Sequence, residues 1–242
     1  MFPIFKKELT SFFGSLLGYI AMAVFLILLG LFVWIFKGNQ LEAQYSTLDI
    51  FFTNAPIVFL LLIPAITMRS ISEEIKTGTL ELLVTRPLTE IQIILGKFFA
   101  ACVLAVVCLL PTLIYFYTIH QLGSPVGNLD SGAIWGSYIG LIFLSASFIS
   151  IGIFASSLTA NQIVAFILAF FLCTLVFFGF DALSDMQILP GNISNIISNI
   201  GINAHYRSIS RGVIDLRDII YSLTFISIFI LFTKTSLESR KW

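Results

Sequence analysis

The sequence predicts an all-α membrane protein: six transmembrane helices, an N-terminal interfacial amphipathic helix and a short cytoplasmic helix. Three observations carry this. Hydrophobic residues make up 58% of the 242-residue chain and charged residues only 11%, whereas soluble domains carry about a quarter charged residues. Apolar runs long enough for helices that cross a bilayer core of about 30 Å recur along the chain. The few charges cluster between those runs, most densely in one stretch.

The first residues read MFPIFKKELTSFF. Phe2, Phe5, Leu9, Phe12 and Phe13 fall at helical spacing, with Lys6, Lys7 and Glu8 on the other side. That pattern predicts an amphipathic helix over residues 1–13, lying in the membrane interface; a helical extension of the first span is the alternative. A cleavable signal peptide is not expected, because the first apolar run is too long for one and no A-x-A site follows. Six spans follow at about 15–36, 50–68, 96–119, 132–154, 163–180 and 219–232. The last is short, and Asp218 and Lys234 are expected to snorkel and lengthen it.

Orientation follows from the basic residues. With the N-terminus inside, Lys6, Lys7, Arg69, Lys76, Arg86, Lys97, Lys234, Arg240 and Lys241 lie inside. Lys37, Arg207, Arg211 and Arg217 remain outside. Both termini are therefore expected to be cytoplasmic.

Within the membrane, Gly132, Gly136 and Gly140 recur every four residues and share one helix face, which admits a close neighbour. That neighbour is either another helix of the same chain or a second protomer. Pro64 and Pro111 are expected to bend spans two and three. No span carries a charge at its centre, which argues against a secondary transporter. Asp49 and Asp181 are expected to be solvated. The external loop 181–218 holds Ile193, Ile196, Ile197 and Ile200 at helical spacing. It predicts one or two short amphipathic helices on the outer leaflet, with a lid over an exit as the sharper reading. Arg207, Arg211, Asp215, Arg217 and Asp218 are expected to pair among themselves.

The stretch Arg69–Phe98 holds four bases (Arg69, Lys76, Arg86, Lys97) and four acids (Glu73, Glu74, Glu81, Glu90). Ser70-Ile-Ser-Glu73 fits a capping box opening a short helix through Lys76. Gly78 allows a sharp turn, and Thr79 is placed to cap a helix over Leu80–Val84. Pro87 ends that piece, and Thr89-Glu-Ile-Gln92 is a second capping box opening span three. The apolar side of the Leu80–Val84 helix either rests on lipid or fills a groove in a cytosolic partner.

Several chemistries are missing. No G-x-x-x-x-G-K-[ST], H-E-x-x-H or G-x-S-x-G run occurs. His120 and His205 read as lone loop residues. Cys102, Cys108 and Cys173 form no CxxC pattern and read as small buried hydrophobes. A formal net charge of zero gives no nucleic-acid footprint. No catalytic constellation and no metal site are expected.

The stretch SEEIKTGTLELLVTRP, followed by Gly96-Lys97, resembles the first cytoplasmic loop of ABC-2-type transporter permeases. ASSLTANQIVAFILAF, residues 155–170, resembles the second loop and fifth span of that family, and HYRSISRGVIDLRDIIYSL, residues 205–223, its outer segment and last span. Within the family the sequence is most similar to gliding-motility-associated permease subunits of the GldF type.

The resemblance implies a single ABC-2 transmembrane domain over residues 1–242. It implies a coupling helix in loop 69–95, with Glu73, Glu74, Gly78, Thr79, Leu80, Glu81, Leu82, Leu83 and Pro87 meeting a separate ABC ATPase. A second cytoplasmic contact would involve Ser156, Ser157, Thr159, Asn161 and Gln162. ATP and Mg would sit on that partner, with no cofactor on this chain, which would be a non-catalytic subunit. A second permease protomer, identical or different, would complete the complex in the bacterial inner membrane. A structural anchor for a motility or secretion machine, without its own pathway, is the competing function.

Overall fold

A computed structural model describes residues 1–40, 42, 47–79, 89–123, 125–185, 191–212 and 215–239. The described residues form helices and no strand. Five helices are each long and apolar enough to cross a membrane, and a bent N-terminal pair brings the number to six.

That pair is α1 (Phe2–Phe13) and α2 (Leu16–Trp34), whose axes turn by 69°. Helix α1 is thus a separate element and not an extension of the first span. Ser15 ends the bend by accepting a hydrogen bond from the Gly18 N–H at 3.2 Å, supplying an acceptor to the open N-terminus of α2. Helix α3 (Asp49–Thr67) continues through Pro56 and Pro64 as one α-helix. After it come α4 (Ser72–Lys76) and α5 (Glu90–Leu109). The Thr89–Gln92 capping box opens α5 as its sequence predicts, with both reciprocal bonds present. At Pro111 the α-helix gives way to a three-residue 3-10 turn, Leu110–Thr112, before α6 (Leu113–Leu122). A missing backbone donor accounts for that break.

Helix α7 (Ser131–Leu158) is the hub. It touches α3, α5, α8 (Gln162–Ser184), the short α10 (Ile202–Ile209) and the last helix, α11 (Leu216–Glu238). Its apolar stretch is 72% buried, against 22% for those of α8 and α11, which turn most of their surface outward. Burial on this scale is possible because its polar residues are small and satisfied locally. Ser145, Ser147 and Ser150 donate to the carbonyls of Ile142, Phe143 and Ser147 in their own helix.

The glycine stripe has an intramolecular partner. A Cβ on Gly136 would lie 2.9 Å from Gly212 Cα, and one on Gly140 would lie 3.2 Å from Ile209 Cγ2. Gly132 does not share this contact, since a Cβ there would meet only Asp130 Oδ1 of its own N-cap, at 3.4 Å. At its other end α7 crosses α3 so closely that a Cβ on Gly152 would overlap Thr67 Oγ1.

The external loop departs from expectation. Of its two short helices, α9 (Gly191–Ile200) keeps Ile196 and Ile200 exposed, as an interfacial helix would. Helix α10 instead packs among α7, α8 and α11, burying Ile202, Asn203, Tyr206 and Ile209. Those four residues form a stripe at 3.6-residue spacing, which the serines and glycines of α7 leave room to bury. Tyr206 donates to the Phe52 carbonyl at 2.6 Å, tying α10 to α3, and burial pushes its phenol up.

Charges near this end also pair differently. Asp218 does not snorkel: it is buried and bonded to His205 Nδ1 at 2.7 Å, and the His205 ring stacks on Tyr221 at 3.9 Å. Asp181 accepts from Asn203 at 2.6 Å and stands 3.8 Å from the exposed Arg207. The expected cluster among Arg207, Arg211, Asp215, Arg217 and Asp218 is thus replaced by contacts reaching α8 and α10. Asp215 instead caps α11 through Arg217 N–H, at 3.0 Å, and the last helix runs well past the short apolar run read from the sequence.

Because α3 and α7 meet with no space for a methyl group, Gly152→Ala is expected to destabilise the protein by about 1–3 kcal/mol through overpacking. Adding Thr67→Ala should recover part of that loss. Thermal unfolding of the purified variants in lipid nanodiscs measures both effects.

Candidate functional site

The site begins with a glycine beside a lysine. Gly96 on α5 has no side chain, so α1 lies directly across it; a Cβ there would sit 3.2 Å from Ile4 Cβ and from the Met1 carbonyl. The approach brings Lys7 and Glu8 of α1 over Lys97 of α5. From a third direction α4 delivers Glu74. Lys97 Nζ donates to Glu8 Oε1 at 2.7 Å and to the Ser70 carbonyl at 2.6 Å, and forms an ion pair with Glu74 Oε1 at 2.9 Å. Three oxygens thus surround the ammonium. The Lys97 side chain is 1% exposed. Lys7 reaches the same Glu74 oxygen at 3.2 Å from the solvent side. Two cations and two carboxylates thus close a neutral network in which Lys97 is completely desolvated.

Burying an ammonium costs several kcal/mol, and only such a set of partners offsets it. This departs from the sequence reading, in which Lys97 and Glu74 belonged to a water-facing charged loop. Helix α1 covers them, and the loop reading had no means of placing α1 there.

A second node joins the two loops. Helix α4 has no side-chain cap of its own: the expected Ser70–Glu73 box does not form, and the helix starts one residue later, at Ser72 with Ile71 as N-cap. Its N-terminus is capped from a distance by Ser156 of α7. Ser156 Oγ accepts from the Ile71 and Ser72 N–H groups, each at 3.0 Å, and donates to the Met68 carbonyl at 3.2 Å. Ser70 is displaced from a capping role because its carbonyl is engaged by Lys97.

Residues that stay open cluster beside these nodes. Gly78 has φ +70°, the left-handed turn its sequence position predicted. Gly78, Thr79 and Glu73 are exposed, while Glu74 faces inward. In the second loop Ser156 and Ser157 are fully buried, Thr159 and Gln162 are half-buried and Asn161 is exposed. Asn161 caps α8 through Ile163 N–H at 3.0 Å. Leu80, Glu81, Leu82, Leu83 and Pro87 lie outside the described residues. Of the three glycines singled out for helix packing, Gly136 and Gly140 line the α7–α10 contact, far from this node.

Two cavities meet under α1. One, of about 300 Å³, is charged and includes Arg69, Glu73, Thr77 and Thr79. The other, of about 290 Å³, is apolar and lies against α2, α3 and Phe166 of α8. At the opposite end an open cavity of about 590 Å³ lies between α3, α8 and α10, carrying Asp49, Arg207 and Arg211 above Phe52, Phe177 and Phe178. Among the described residues, no group of three or more His, Cys, Asp or Glu is placed to hold a metal ion.

The sequence profile described as ABC-2 family transporter protein matches residues 37–234. The chain belongs to the ABC-2 transporter family. No curated protein matches it. It is a multi-pass membrane protein of the ABC transporter permease type. The matched range takes in α3 to the body of α11, including both loops and Ser156; it leaves α1 and α2 outside. In this ABC-2 chain the link between the family-matched core and the N-terminal helix is therefore the Lys97 network. Sequence reasoning had no signal for Ser156 as a cap or for His205 as a partner of Asp218, because both pair residues far apart in the chain.

Removing the ammonium strands two carboxylates. Lys97→Met is expected to destabilise the protein by about 3–5 kcal/mol, and combining it with Glu8→Gln and Glu74→Gln should restore most of that. Ser156→Ala, which orphans two backbone donors, should cost about 1–3 kcal/mol. Denaturation of the purified variants measures each difference.

Proposed function

We propose that this chain is the non-catalytic membrane subunit of an ABC transporter, driven by an ATPase on a separate polypeptide that docks beside α4. In this reading both termini face the cytoplasm, ATP and Mg are bound by the partner, and a second permease protomer completes the complex in the bacterial inner membrane. Family membership supports the transporter class. The observation that carries the docking reading is the Ser156 node. It ties the start of α4 to the end of α7, and α4 also touches α8, so in this reading the turn at Gly78 and Thr79 that follows α4 and the loop at Thr159, Asn161 and Gln162 that joins α7 to α8 offer one composite surface. The buried Glu74, Ser156 and Ser157 support that surface from behind. Leu80, Glu81, Leu82, Leu83 and Pro87, which follow Thr79 in the sequence, are further proposed contacts. A role in gliding motility rests on resemblance to gliding-motility-associated permeases.

Co-purification tests the reading. The tagged chain, solubilised from its native membrane, is expected to carry an ABC ATPase. Thr79→Arg should reduce that association at least tenfold while leaving thermal stability unchanged. If no ATPase accompanies the intact chain, the coupling reading fails and the structural anchor takes its place.

A further inference from the structure

The charged and apolar cavities under α1 adjoin, because Phe12, Ser15, Ile66 and Arg69 line both. Their chemistry is graded. The apolar part is walled by Val24, Phe25, Val58, Leu61, Leu62 and Phe166. Arg69 stands where the two parts join. Its Nε is sealed from solvent and has no hydrogen-bond partner, and its guanidinium pairs with no described residue. A cation left unpaired in a partly desolvated position is costly unless something else supplies the anion.

Charge balance narrows what that is. Among the charged groups lining the site, Lys7 and Lys97 pair with Glu8 and Glu74. Arg69 and Glu73 remain, one of each sign; the Glu73 carboxylate is exposed and pairs with no described residue. The order along the site is apolar groove, then Arg69, then Glu73, which lines only the charged part. That is the order of acyl chain, phosphate and ammonium in a phospholipid with a zwitterionic, primary-amine headgroup. An anionic phospholipid with a neutral headgroup would neutralise Arg69 through its phosphate but leave Glu73 without a counter-ion.

We propose that the joined cavities bind one phosphatidylethanolamine-class lipid, its acyl chain between α2 and α3, its phosphate on Arg69 and its ammonium on Glu73. The site lies beneath α1 and beside Lys97, so the lipid fills the angle of the α1–α2 bend. It requires only that the chain is embedded in a membrane, so its failure and the failure of ATPase coupling are read separately.

The full chain is reconstituted in phosphatidylcholine nanodiscs doped with phosphatidylethanolamine or phosphatidylglycerol. After a detergent wash, retained lipid is counted by native mass spectrometry. One phosphatidylethanolamine per chain is expected to survive, preferred about tenfold over phosphatidylcholine and phosphatidylglycerol. Arg69→Gln should lower its retention roughly ten- to a hundredfold. Glu73→Gln, at an exposed position, should abolish the preference over phosphatidylcholine, and Val24→Trp should block the groove and remove retained lipid of every class. Inorganic phosphate alone should leave thermal stability unchanged. Equal retention of all three lipids means an annular lipid only and overturns the proposal. So does a preference for phosphatidylglycerol, unchanged retention in Arg69→Gln or Glu73→Gln, or stabilisation by free phosphate.

Discussion

Much of the N-terminal half is arranged around one buried ammonium. Lys97 lies where three elements from separate parts of the chain converge, and each supplies one acceptor: Glu8 from α1, the Ser70 carbonyl from the α3–α4 junction, Glu74 from α4. Desolvating the charge forces this convergence. A lysine 1% exposed in its side chain is tolerable only when it is hydrogen-bonded and ion-paired, here to Glu8, the Ser70 carbonyl and Glu74, so the positions of α1 and α4 are fixed relative to α5 and to one another. The glycine before it matters too, since a Cβ at 96 would press on Ile4 and the Met1 carbonyl at 3.2 Å and push α1 outward by a few tenths of an ångström.

Ser156 performs the corresponding task for the central helix. With a single hydroxyl it satisfies two backbone donors of α4 and one carbonyl at the end of α3. Helix α4, only five residues long, has too little of its own to be stable. It exists because α5, through Lys97, and α7, through Ser156, hold it from two sides. A force applied at Gly78 or Thr79 thus enters the bundle at two defined points, one on the helix that contacts α1 and one on the helix that contacts nearly everything else.

What was legible in the sequence follows from the range of the interactions. Spans, the interfacial helix, the Thr89–Gln92 box, the Gly78 turn and the break at Pro111 depend on residues within a few positions of each other, and pattern reading found them. Ser70-Ile-Ser-Glu73 has equally good local grammar and still fails, because Lys97 claims the Ser70 carbonyl and Ser156 supplies the cap. The same reason explains α10. The stripe Ile202, Tyr206, Ile209 was available to read, but whether it met lipid or protein depended on the room left by Gly136 and Gly140 of α7. The isoleucines read in the external loop belong to α9, whereas the helix that meets Gly136 and Gly140 is α10, the next one along. The exposed charges were read as loop features, and their burial depends on α1 crossing α5, more than eighty residues away in sequence.

The two ends of the molecule solve the charge problem in opposite ways, and the difference bears on what each end does. Under α1 four charges cancel in a closed network around a desolvated ammonium, which favours one arrangement of the helices and resists others. At the far end Arg207 meets Asp181 only at 3.8 Å and stays 72% exposed, in a cavity of about 590 Å³ with an aromatic floor. A pair that long and that solvated contributes little to stability and is readily exchanged for another partner. The end with the composite loop surface is therefore built to hold its geometry, and the end with the wide cavity to let polar groups change partners. That asymmetry rests on where Lys97 is buried and where Arg207 is not.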